Sequence, residues 1–253
     1  MTTQELLDEL KAAVLRDTST QIGGPADSFW TDDALLRYIN EAQTRLATIG
    51  LVIRDATTSS VVEVSMAAGT AQYTLHPSIV AVISARYADD PFDLTRTGHS
   101  SLFSYQTPTT SYFDPSTLAS LPPGKPLAWS TDEQIDAKSG VSGVVSLRVY
   151  PVPSADFTGT IRMRTIRVPL KPLSLEEPDR RPEVPEQYHL SLLDWAAYRA
   201  LRNIDSDVGD IAKADKFRQV FDETVALARR DTLRKLFAPT RHSFGQAGWA
   251  WER

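Results

Sequence analysis

Between residues 168 and 185 the chain reads VPLKPLSLEEPDRRPEVP, five prolines in eighteen residues. Proline has no backbone N–H to donate, and its ring collides with the preceding helical turn. Neither a helix nor a central strand runs through such a stretch. The segment is therefore an extended connector, and it divides two differently patterned parts of the chain. Runs of β-branched residues precede it, two helical patterns follow it, and the first fifty residues are helical again.

The helical parts are read from their apolar period. Residues 4–16 place Leu6, Leu7, Leu10, Ala13 and Val14 on one face, and QIGGPADS at 21–28 ends that run. In FWTDDALLRYINEAQTRLATIG, 29–50, Leu35, Ile39, Ala42, Leu46 and Ile49 recur at four-three-four-three, a buried stripe. Thr31 can cap this helix, and Asp32 and Asp33 suit the positive end of its dipole. Trp30 and Leu35 have the spacing of a hydrophobic staple, and Gly50 is placed to end the helix. After the connector, Pro185 and Glu186 open a helix over 186–204 with Leu190, Leu193, Ala197, Leu201 and Ile204 on one face. A long helix over 211–237 carries Ala214, Phe217, Phe221, Val225 and Ala228, and Pro239 stops it.

The middle reads as strands: VVEVSM at 61–66, AQYTL at 71–75, IVAVISARY at 79–87 and PLAWS at 126–130. In VVSLRVYPVPSADFTGTIRMRTIRV, 144–168, two period-2 runs flank a Pro-rich turn at 151–159, which predicts a β-hairpin. Residues 88–125 are irregular, with a short helix expected near 97–105. The order predicts an α+β protein, a helical bundle made from both ends of the chain with a β-rich insertion. The expected divisions are helices at 1–50, the insertion at 51–170, the connector at 171–185, helices at 186–237 and an extended tail at 238–253.

Composition narrows the function. The 253 residues suffice for one large or two small domains, and a net charge of −5 does not favour nonspecific attraction to nucleic acid. No cysteine is present, which removes disulfides, thiolate catalysis and thiolate metal sites. The charged, helical N-terminus does not read as a signal peptide, and no apolar run approaches the ~20 residues that span a membrane. His76, His99, His189 and His242 lie outside metal-ligand spacing of one another. DSDVGDIAKADK, 205–216, begins like a calcium loop with Asp205 and Asp207. It then puts Gly209 and Asp210 at the fifth and sixth positions and Lys216 where a bidentate Glu is needed, so Asp207 reads better as a helix cap. SGVSG at 139–143 is not a nucleophile elbow, GGPAD lacks the Lys-Ser/Thr of a phosphate loop, and Glu176/Glu177 sit where geometry is poorly held. No catalytic, cofactor or metal site is expected.

Two features point to partners. Arg162 and Arg164 share one strand face, and the expected hairpin places Arg148 on the neighbouring strand. Either these arginines splay into water, or acidic groups of another subunit meet them. The chain ends in HSFGQAGWAWER. Arg241, Phe244, Trp249, Trp251 and Arg253 are residue types favoured as interface anchors. The tail either folds back on its own bundle or docks on a partner.

Four stretches in this order resemble the head-to-tail adaptor proteins of tailed bacteriophages, also called head completion, connector or tail tubular proteins. They are SFWTDDALLRYINEAQTRLA at 28–47, AQYTLHPSIVAVISARY at 71–87, LRVYPVPSADFTGTIRMRTIRVPLKPL at 147–173 and VPEQYHLSLLDWAAYRALRNIDSDVGDIAKADKFRQVF at 184–221. The resemblance implies a virion protein, present in the host cytoplasm during assembly. It implies a ring of about twelve subunits under the portal, with the β-rich part toward the next tail or nozzle component. DNA would cross the lumen without sequence-specific binding. The tail residues Arg241, Phe244, Trp249, Trp251 and Arg253 would be portal anchors. A different class of reading is a soluble binding module or enzyme with a carbohydrate or peptide site in the insertion, Trp129, Tyr105 and Tyr112 acting as stacking platforms.

Overall fold

The structure, a computed structural model, describes residues 1–15, 30–87, 90–97, 122–136, 141–202 and 209–236. It is α+β, with helices from both ends of the chain sharing one core and the strands of the middle sharing another.

Helix α1 (Thr3–Glu9) opens with a capping box: the Glu5 N–H donates to the Thr2 hydroxyl and the Thr2 N–H to the Glu5 carboxylate. It continues as a π-helical segment, Leu10–Leu15. That winding changes the buried face. Leu6, Leu7 and Leu10 are fully buried and Val14 packs partly buried against the same core, as the spacing predicts, but Ala13 is exposed and Leu15, five positions after Leu10, is buried.

Helix α2 (Asp32–Gly50) is capped by Thr31, whose hydroxyl accepts the Ala34 N–H at 3.3 Å. Leu35, Ile39, Ala42 and Leu46 are fully buried, and Trp30 packs against the same core. Ile49 is 41% exposed, and Gly50 takes the inward place in the last turn. A Cβ on Gly50 would stand 3.3 Å from Leu46 Cδ1 and 3.5 Å from Ala228 Cβ, so the missing side chain lets the last helix approach. The helix ends at Gly50 as expected, with Leu51 beyond it in the left-handed region (φ 57°).

After α2 the chain enters β1 (Arg54–Asp55), a single helical turn α3 (Ser59–Val62), β2 (Glu63–Ser65), β3 (Gln72–Thr74), β4 (Ile79–Tyr87) and β5 (Thr95–Arg96). It resumes with β6 (Ala128–Asp136), β7 (Val141–Tyr150) and β8 (Thr160–Arg167). Among the described residues these form two four-stranded sheets. In the first, β8 is the hub, pairing antiparallel with β4 on one side and with β1 and β2 in succession on the other. The second runs β3-β7-β6-β5. Ile79, Val82, Ile161 and Met163 from the first sheet and Trp129, Leu147 and Val149 from the second meet in one core.

The predicted hairpin at 144–168 does not form. β7 pairs with β3 and β6, and β8 pairs with β1, β2 and β4, so the two runs belong to different sheets. The nine-residue link 151–159 includes a 3-10 turn at Ala155–Phe157. It exceeds the two to five residues of an ordinary hairpin loop and can carry the chain from one sheet to the other. Arg148 is therefore not on the strand beside Arg162 and Arg164.

Residues 168–185 contain no helix or strand, as their prolines require. Helix α4 (His189–Arg202) follows a 3-10 turn at Glu186–Tyr188, and helix α5 (Gly209–Leu236) closes the bundle. In α4, Leu193, Ala197 and Leu201 are buried as predicted, but Leu190 in the first turn is 62% exposed. Trp195 packs against Phe221 of α5, the rings tilted at 46° with centroids 5.2 Å apart. Ala214, Phe221, Val225 and Ala228 are buried, and Phe217 packs at the edge.

Candidate interaction surface

The insertion is fastened to the bundle by a charged junction. β1 leaves α2 through Val52 and Ile53, which are buried in the helical core, so Asp55 lies where the two cores meet. Its carboxylate accepts the N–H groups of Thr57 (2.9 Å) and Thr58 (3.0 Å) and Nε of Arg167 (2.7 Å) at the end of β8. Burial pushes the Asp55 pKa up, but these donors outweigh it and hold the carboxyl well below the usual range. The other side of the Arg167 guanidinium donates to Glu183 in the connector. Burial works against the Arg167 charge as well, and the Glu183 and Asp55 carboxylates more than restore it.

Glu183 also accepts the N–H groups of Leu170 and Lys171, and its own N–H donates to Gln43 of α2. One turn earlier, the Asn40 side chain donates to the Leu173 carbonyl (2.9 Å) and accepts the Leu173 N–H (2.8 Å). Beside it, Glu41 pairs with Arg199 of α4 at 3.2 Å, and Ala42 is in the core. The Asn-Glu-Ala centre of α2 thus holds the connector, a neighbouring helix and the core in three consecutive residues. Buried His189 donates from Nε2 to the Val184 carbonyl and pins the connector's far end.

The outward face of the first sheet carries arginines. On β8, Arg162 and Arg164 are exposed and alternate with buried Ile161, Met163 and Thr165, as period-2 spacing predicts. Arg86 of β4 stands opposite Arg162 and takes the place expected for Arg148. Two in-chain acids offset this like-charge pair: Glu63 reaches Arg162 at 3.2 Å, and Asp93 reaches Arg86 at 2.9 Å. Arg86, Arg162 and Arg164 line a cavity of about 400 Å³ with Ser84, Asp90 and Asp93. Asp90 is itself paired with Lys125. A second crevice, about 320 Å³, shares Ala56 and Arg164 with the first and adds Arg54 and, from the end of α5, Lys235. Arg148 is exposed on the other sheet, its guanidinium 5.8 Å from the Tyr150 ring centre.

Trp129 is no stacking platform. It is 1% exposed in the core of the insertion, and its indole N–H donates to the Leu94 carbonyl at 3.2 Å. Tyr105, Tyr112, Ile204 and, from residue 98 on, the expected helix near 97–105 lie outside the described residues. So do Asp205 and Asp207 and the tail residues Arg241, Phe244, Trp249, Trp251 and Arg253. No cluster of three His, Asp or Glu able to hold a metal ion occurs among the described residues, and none of their helices is long and apolar enough to cross a membrane.

Sequence reasoning passed over Arg86 and Gln43, although each had a signal. Arg86 falls in step with Ser84 on β4, and Gln43 lies four residues after Ile39 on the buried stripe. The Asp55–Arg167 pair had none, because its members are 112 residues apart.

The protein is thus a helical body joined through an arginine to a β insertion whose first sheet presents arginines on its outward face. The family described as SU10 adaptor protein matches residues 1–243, and the chain belongs to that family, whose members are bacteriophage structural adaptors. Comparison with the curated proteins gives no match.

Proposed function

We propose that this chain is a head-to-tail adaptor: copies of it form a ring of about twelve between the portal and the tail, and DNA leaves through the middle. The observation that carries the reading is the family match over 1–243, which takes in the bundle, the insertion and the start of the tail. The junction supports it. Arg167, with a carboxylate on each side, couples insertion to bundle, and a part that transmits load between two larger assemblies needs such coupling.

In this reading the tail supplies the portal contact. Phe244, Trp249 and Trp251 are the apolar anchors and Arg241 and Arg253 the charged ones. The β-rich part meets the next tail or nozzle component. The net charge of −5 keeps passing DNA from being held. The test is native mass measurement of the portal from the same genome mixed with the full-length chain. A complex heavier than the portal by about twelve chains is expected. Portal and adaptor that stay separate at every mixing ratio contradict the proposal.

A further inference from the structure

The crevice between the first sheet and the end of α5 has a charge imbalance that the described residues do not correct. Arg54 comes from β1, Arg164 from β8 and Lys235 from the last turn of α5, so three separate segments bring cations to one opening. None of the three has an ion-pair partner among the described residues. The carboxylate that lies among them, Asp55, is 6% exposed and is engaged by Arg167 and the Thr57 and Thr58 N–H groups. In the adjoining cavity, Asp93 and Asp90 are engaged by Arg86 and Lys125. Three cations on separate elements, with Asp55, Asp90 and Asp93 already engaged, favour an anionic group from outside. Arginine's planar fork suits a carboxylate.

The complementary charge is on the bundle. α1 is laid on the connector by the Thr3 and Gln4 N–H groups, which donate to the carbonyls of Arg180 (2.7 Å) and Pro178 (3.1 Å). This makes one surface from the exposed face of α1 and residues 176–180. Glu5, Asp8, Glu9, Glu176 and Asp179 are all exposed there. Its cations Lys11 and Arg180 are already paired, with Asp32 and with Glu177 and Glu183, and Arg181 remains against the acids.

We propose that the Arg54–Arg164–Lys235 crevice of one copy receives the acidic α1–connector surface of the next, with Glu176 and Asp179 as its principal carboxylates. The crevice and the acidic surface are different patches of the chain, so their contact can repeat from one copy to the next. Made head to tail, as the ring requires, such contacts close into rings or run on as filaments. The inference rests on the adaptor reading for its ring, but its surfaces are tested separately.

The experiment uses charge reversal on the full-length chain: Arg164→Glu with Lys235→Glu, Glu176→Lys with Asp179→Lys, and all four together. Sedimentation at low salt, alone and with the portal, reads copy–copy association, and thermal melts check that each variant is folded. Each pair of reversals is expected to weaken association at least tenfold. The 1:1 mixture of the two variants and the fourfold variant are expected to recover it, because reversed crevice then meets reversed surface.

Pairwise variants that associate like the wild type overturn the proposal, as does a loss that the fourfold variant does not recover. A wild-type chain that never self-associates, free or on the portal, also overturns it. If Arg164→Glu with Lys235→Glu leaves association intact but abolishes salt-sensitive binding to duplex DNA, the crevice is a phosphate contact and the proposal fails. Portal binding in the same runs separates the two claims. Rescue without portal binding removes the adaptor reading and keeps this interface, whereas portal binding indifferent to every reversal does the opposite.

Discussion

Arg167 is the residue on which the two cores depend most. Its side chain is 11% exposed and its two carboxylates 4% and 20%, so removing one partner strands a charge away from water. Arg167→Met or Asp55→Ala is expected to cost about 3–5 kcal/mol in chemical denaturation. A loss below about 1 kcal/mol would mean that the pair is well hydrated. Two carboxyls also predict the pH dependence of stability. The Asp55 pKa is depressed in the fold, so its contribution is present above the ordinary carboxylate range and is lost as pH falls below it. Asp194 on α4 behaves in the opposite sense. Burial raises its pKa to about 6, so its protonated form suits the fold, and stability declines as pH rises from about 4 through 6. Asp194→Asn is expected to raise stability at pH 7.5 by roughly 1–3 kcal/mol and to leave it unchanged near pH 4. Equal melting shifts at both pH values would contradict this.

At the scale of elements, the π-helical segment after α1 is the sharpest case. A straight α-helix turns Ala13 inward, whereas the observed winding turns Leu15 inward. Leu15→Ala is expected to cost about 2–4 kcal/mol, and Ala13→Lys less than about 0.5 kcal/mol. The reverse order would restore the regular helix. The connector offers a second test. Asn40→Ala removes both hydrogen bonds to Leu173 and should speed limited proteolysis within 168–185 several-fold, while an unchanged cleavage rate would show that the prolines alone hold the segment. These elements also show which parts of the fold can be read from sequence. The α2 and α5 stripes are legible because a 3.6-residue period is contained within each segment. LKAAVL fits both windings, and the choice between Ala13 and Leu15 is made by packing against the rest of the bundle. The strands β7 and β8 are legible as strands, but two period-2 runs around a turn look alike whether they pair with each other or with partners far away in the chain. The period therefore fixes the face of Arg164 but not the neighbouring strand of Arg148.

At the scale of the whole molecule, the described residues form a helical bundle and a β-rich insertion joined by a charged junction, with a basic crevice and an acidic surface. The α+β class follows from the order of periods along the chain. The junction does not, because Asp55, Arg167 and Glu183 meet only through the tertiary fold. In the proposed adaptor, the two tryptophans in the last five residues are what would hold the portal. The most direct test is co-sedimentation with the portal ring of the same genome, comparing the full-length chain with one truncated after Ala238. The account predicts that the full-length chain travels with the ring and that the truncated chain, though folded, is left behind. Truncated chain that travels with the ring as well would contradict the tail's role, and full-length chain left behind would contradict the adaptor itself.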